Sequence, residues 1–181
     1  MNRLSKRAGT IALDGVICGM AVAIMLCSSV FPGMAYALPM IAGGLMLMPS
    51  IEFGTRDAMC CYAAIAFLSF ILPADKESAL RFVFLFGVYP IIKKYFEKIK
   101  RRPIEYLLKI LYFNAAAVSA VLLASFVFGI PVDDGTLGRW GVYILLLAGN
   151  VAFIVYDIAL TGFVRLYVFR VQPVLRKMLH L

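Results

Sequence analysis

Apolar runs dominate this chain, and its basic residues collect in every second gap between them. One set of fifteen, out of eighteen Lys and Arg, comprises Arg3, Lys6 and Arg7 before the first run, Arg56, the stretch from Lys93 to Lys109, and the terminal group from Arg165 to Lys177. The other set is only Lys76, Arg81 and Arg139, which lie among Asp75, Glu77, Asp133 and Asp134. In a membrane protein, loops rich in Lys and Arg stay on the cytoplasmic side. That bias places the larger set inside, so both termini face the cytoplasm and the number of crossings is even.

The composition supports lipid as the solvent. A chain of 181 residues that is 63% hydrophobic, with mean hydropathy +0.92, has more apolar surface than one soluble core of that size can hide. The net charge of +8 does not require a nucleic acid. The outer set has three bases against four acids, and the inner set fifteen bases against six acids. Anionic lipid of the inner leaflet accounts for that excess.

Hydropathy divides the chain into six segments long enough to cross the hydrocarbon, at 11–31, 34–51, 56–72, 78–96, 104–130 and 140–169. Pro32-Gly33, Gly54, Pro73, Pro103, Pro131 and Asp133-Asp134-Gly135 punctuate them. The expected fold is all-α, a single integral-membrane domain over residues 1–181 in the cell membrane. Six crossings and the even count from charge are independent readings that agree. The start also has the outline of a signal peptide ending near Ala35-Tyr36-Ala37, but Asp14 and the apolar run that follows at once fit a retained helical hairpin better. Within 78–96, Arg81, Lys93 and Lys94 are expected to snorkel to the two interfaces, and Pro90 to kink the helix near Phe86-Gly87.

Chemistry-bearing residues are few. The sequence has no GxxxxGK[ST], HExxH or GxSxG, and its one histidine, His180, is far from Cys18, Cys27, Cys60 and Cys61. These features predict no enzyme, no metal centre, no cofactor and no structural disulfide, with the cysteines as small packing residues. Asp14 and Asp157 are acids within apolar segments and need partners; Lys109 and Arg56 are candidates, and a proton relay is the alternative role. Asn114 and Asn150 fall near mid-bilayer on antiparallel neighbours, where they serve a shared polar pocket or one interhelical hydrogen bond. Tyr36, Lys76, Arg81, Arg139, Trp140 and Tyr143 have the aromatic and polar character to ring an outward-facing solute pocket above them. Trp140 and Tyr143 suit an interfacial aromatic belt equally well. Tyr95, Phe96 and Ile99 among the bases of 93–102 mark an interfacial segment for headgroups or a partner. Gly15, Gly19, Ala23 and Cys27, spaced by four, align small residues on one face of the first helix.

The six-crossing layout, that small-residue stripe, the absence of an ATPase motif, and the stretch Leu38-Pro39-Met40-Ile41-Ala42-Gly43-Gly44 leading to Glu52-Phe53-Gly54 together resemble the substrate-binding S components of energy-coupling-factor transporters. The resemblance implies capture of a small, vitamin-like solute from outside, with a transmembrane T subunit and ATPase subunits as partners that drive uptake. It also implies that Gly15, Gly19 and Ala23 form the surface that meets the T subunit. Glycine at two of these three positions departs from the family's alanine pattern, and the loop after the first helix is only about Pro32-Gly33, too short for the family's usual lid. Tyr36, Arg81, Asn114, Trp140, Tyr143 and Asn150 are the candidate solute contacts from the residues themselves. Two other functions fit the same sequence: a scaffold similar in layout to the cell-shape protein MreD, and an ion-coupled carrier using Asp14 or Asp157.

Overall fold

A computed structural model describes residues 3–72, 75–129 and 138–174; the side chains of 3–8, 10, 32, 128 and 138–142 are not among those described. The described residues are all-α, without a strand. The helices are α1 (Arg3–Val30), α2 (Ala37–Leu45), α3 (Leu47–Glu52), α4 (Thr55–Ile71), α5 (Lys76–Arg81), α6 (Tyr89–Phe96), α7 (Arg102–Phe128) and α8 (Gly138–Leu166). A π-helical turn, Phe82–Phe86, follows α5, and a second, Tyr167–Val171, follows α8. Gly54, at φ 99°, makes the abrupt turn between α3 and α4 that a residue with a Cβ resists.

Among the described residues, three helical stretches are long and apolar enough to cross a membrane: Ile11–Val30, Arg102–Val127 and Tyr143–Val174. The other expected segments are shorter or interrupted. Residues 34–51 become α2 and α3 with a turn at Met46, and α4 has 17 residues. The segment 78–96, expected as one kinked helix, is α5, the π turn and α6.

Side-chain contacts sort the loops to two ends. At one end the Asp75 amide donates to Ser29 Oγ at 3.0 Å, and Ser78 Oγ donates to the Ala35 carbonyl at 3.1 Å. At the other, Thr55 Oγ1 meets the Tyr95 hydroxyl at 3.1 Å and Lys94 Nζ donates to Ser50 Oγ at 3.3 Å. Arg56, Lys93, Lys94 and the bases of 98–102 therefore share the second end, whereas Lys76 and Arg81 belong to the first.

The interrupted segment 76–96 is the axis of the bundle. Ala79, Phe82, Tyr89 and Ile91 are all wholly buried. One core joins Ile17, Ala21 and Met25 of α1 to Ala42, Met46, Cys61, Ile65 and Phe82; a second joins Phe86 and Tyr89 to Phe113 of α7 and Phe153, Tyr156 and Leu160 of α8. Burial along most of this segment explains why it tolerates a break, since freed backbone groups find partners inside the bundle. The Tyr62 and Tyr112 hydroxyls donate to the Val83 and Phe84 carbonyls, each at 2.9 Å. Pro90 has no N–H for the Phe86 carbonyl, four residues earlier, and Gly43 packs directly on that carbonyl. A Cβ on Gly43 would lie 2.7 Å from the Phe86 carbonyl carbon.

Candidate functional site

The richest polar constellation lies where α6, α7 and α8 meet, near the basic end of the bundle. Asp157 enters from α8, Tyr89 and Lys93 from α6, and Lys109 from α7. Asp157 Oδ1 accepts from the Tyr89 hydroxyl and from Lys93 Nζ, and Oδ2 accepts from Lys109 Nζ at 2.8 Å. Lys93 also pairs with Glu97 at 3.0 Å, and Lys109 with Glu105 at 2.7 Å. Charge thus alternates along Glu97, Lys93, Asp157, Lys109 and Glu105. Lys93, Lys109 and Asp157 are 2%, 4% and 6% exposed, so the network is sheltered from water. Ion pairs in such a place are weakly screened, and they hold three helices in one register.

Lys109 and Asp157 face a cleft of about 370 Å³ that is also lined by Glu97, Glu105, Tyr106 and Arg165. A second cleft, about 380 Å³ and mostly apolar, runs beside the π turn between Tyr62 and Tyr112. It is the first of these that combines space with charge.

The expected pairing of Asp157 with Lys109 is present, and Arg56 is not part of the network. Lys93 departs from the expected snorkelling: α8 supplies a carboxylate within the bundle, so the ammonium stays inside. Asp14 differs from expectation in the opposite sense, since its buried Oδ1 has no hydrogen-bond partner among the described residues. The four cysteines are free thiols, and Cys61 Sγ lies 3.9 Å from the Asp14 carbonyl oxygen.

The other candidates separate into three places. Asn114 and Asn150 bond to each other reciprocally, with both Nδ2–Oδ1 distances 3.1 Å, and each Nδ2 also donates at 2.8 Å to the carbonyl one turn earlier, Ile110 or Leu146. Both N–H bonds of each amide are consumed. At the end opposite the basic loop, the Arg81 guanidinium sits 4.2 Å from the Tyr36 ring centre and pairs with Glu77 and Asp75. Tyr36 and Tyr143 are 62% and 68% exposed, and neither lines the two clefts above. The side chains of Arg139 and Trp140, with Asp133 and Asp134, fall outside the described residues.

Gly15, Gly19, Ala23 and Cys27 lie on the outside of the bundle, while Ile17, Ala21 and Met25 carry the buried face of α1. A Cβ placed on Gly15 or Gly19 would meet nothing within 4 Å. This face is not used for packing within the described chain.

Tyr89, Lys93, Glu97 and Glu105 were not among the candidate site residues. Their signal was Lys93 with Glu97, and Glu105 with Lys109, each at a spacing of four on a helix. The tie of both pairs to Asp157 depends on tertiary contact.

No protein-family model, curated protein or solved structure matches this chain. The all-helical fold and the three long apolar helices define a class compatible with a membrane location.

Proposed function

We infer that the chain is a membrane subunit that threads the cell membrane six times, with both termini cytoplasmic, and captures a small solute on behalf of a partner membrane complex. The observation that carries this reading is the bare small-residue face of α1. Gly15, Gly19 and Ala23 point away from their own bundle, and small residues at this spacing let a second helix approach closely in lipid. Partition of the described bases toward one end supports the orientation. The resemblance to S components assigns the partner: a transmembrane T subunit with ATPase subunits that power uptake of a vitamin-like molecule. Solute would approach the opposite end, where Tyr36 and Arg81 stack.

The test is co-purification from the native membrane. Gly19→Leu is expected to leave the protein folded and to break recovery of the membrane partner and its ATPases. Unchanged recovery would remove the α1 face from the account. A second reading, a scaffold at the inner face, is favoured by one feature: Tyr95 is half exposed, with Lys94 and Lys98 at 5.7 and 5.3 Å from its ring centre. Neutralising Lys94, Lys98, Lys100 and Arg101 would release the scaffold's partners while leaving a solute-capture complex intact. For the ion-coupled carrier, Asp157 is engaged by three donors, which leaves Asp14, whose buried Oδ1 has no hydrogen-bond partner among the described residues, as the carboxylate such a reading would use.

A further inference from the structure

The charged cleft has a balance that specifies a ligand independently of the docking face on α1. Three carboxylates, Glu97, Glu105 and Asp157, share two ammonium groups, Lys93 and Lys109. One negative charge is left over. Glu97 is exposed, so that excess can be offered to a group entering the cleft. Arg165 lines the same cleft from α8, is exposed, and has no ion pair among the described residues. The cleft therefore presents an acid-rich wall and a separate guanidinium. Its complement is a zwitterion that carries a primary ammonium and an oxyanion, the latter suited to the guanidinium fork.

Position selects the source of that zwitterion. Glu97 caps the end of α6, Glu105 lies in the first turn of α7, and Arg165 is in the last turn of α8. Glu97 and Glu105 flank the basic 98–102 connection, and Arg165 lines the same cleft just before α8 passes into its π turn, which puts the site at the level of an interface rather than mid-bilayer. Tyr106 and Ile158 line the cleft and are 47% and 62% exposed, so polar lining passes into apolar outer surface without a wall between. A soluble zwitterion has no use for such a lip; a lipid lays its acyl chains there. The volume, about 370 Å³, lies within the ordinary range for small-ligand sites, roughly 300–1,000 Å³. We propose that the cleft holds the headgroup of a primary-amine phospholipid, with the ammonium on Glu97 and Glu105 and the phosphate on Arg165.

The experiment uses the full chain reconstituted in vesicles of phosphatidylethanolamine, phosphatidylcholine and phosphatidylglycerol in equal parts, then extracted gently and weighed intact by native mass spectrometry. Phosphatidylethanolamine should be retained at least about tenfold over the other two, a preference of about 1.4 kcal/mol. Phosphatidylcholine lacks ammonium N–H donors, and phosphatidylglycerol lacks the ammonium. Glu97→Gln should remove most of the preference, because only the ammonium distinguishes the three lipids; Arg165→Gln should lower retention of all three alike, since each carries the phosphate, and Arg165→Lys should restore part of it. Glu97 and Arg165 are exposed, so these changes spare the fold. Equal retention of the three lipids, an unchanged preference in Glu97→Gln, or unchanged retention in Arg165→Gln would overturn the proposal. Free phosphoethanolamine should fail to displace the lipid, and displacement by it at comparable concentration would overturn the lipid as occupant.

Discussion

Replacing Asp157 with alanine should destabilise the bundle more than any other single change at the junction of α6, α7 and α8. The Asp157, Lys93 and Lys109 side chains are 8%, 3% and 5% exposed, so the substitution leaves two ammonium groups in a nearly dry site. Breaking a buried ion pair from one side costs about 3–5 kcal/mol. Each lysine keeps one glutamate, at 3.0 and 2.7 Å, which points to the lower part of that range, about 3 kcal/mol. The converse matters as much. A triple replacement, Asp157→Leu with Lys93→Met and Lys109→Met, removes the three most buried charges together and leaves Glu97 and Glu105, 42% and 16% exposed, facing the cleft; it should recover most of the loss, because apolar substitutes of similar volume escape the desolvation penalty. Stability can be read in detergent by thiol labelling of Cys61, which is free and 4% exposed, in a background with the other cysteines changed to serine. A loss under about 1 kcal/mol for Asp157→Ala would show that the network does not hold the helices. A triple variant as unstable as the single one would refute the assignment of the loss to unpaired charge.

Gly43→Val should destabilise by about 1–3 kcal/mol, because its side chain would overlap the Phe86 carbonyl at the break in the central segment; thermal unfolding in detergent measures it. Asn150→Leu should cost about 0.6–2 kcal/mol through loss of the reciprocal bond to Asn114, and a double-mutant cycle with Asn114→Leu should return a coupling of that order. Gly19→Leu should leave the unfolding midpoint unchanged, since nothing lies within 4 Å of a Cβ there, while partner recovery falls. Tyr112→Phe should weaken the π turn by about 1 kcal/mol, and faster amide exchange in Phe82–Gly87 would report it.

The amino-acid order alone determined the all-helical class and the strongest apolar stretches, because a helix facing lipid must be apolar around most of its circumference and that is legible without tertiary structure. It also carried the small-residue stripe of α1, whose spacing places Gly15, Gly19 and Ala23 on one face, and the kinship of Asn114 with Asn150 on neighbouring helices. It did not reveal which side of α1 turns outward; burial of Ile17, Ala21 and Met25 against α2 and α4 decided that. The weakest segment by hydropathy, 76–96, became the centre of the bundle, since a helix enclosed by protein can carry Pro90, a π turn and Lys93 where a lipid-facing one cannot. Lys93 is the sharpest case. Its neighbours in sequence make it an interfacial base, and only the arrival of Asp157 from α8, 64 positions away, makes it a buried ion.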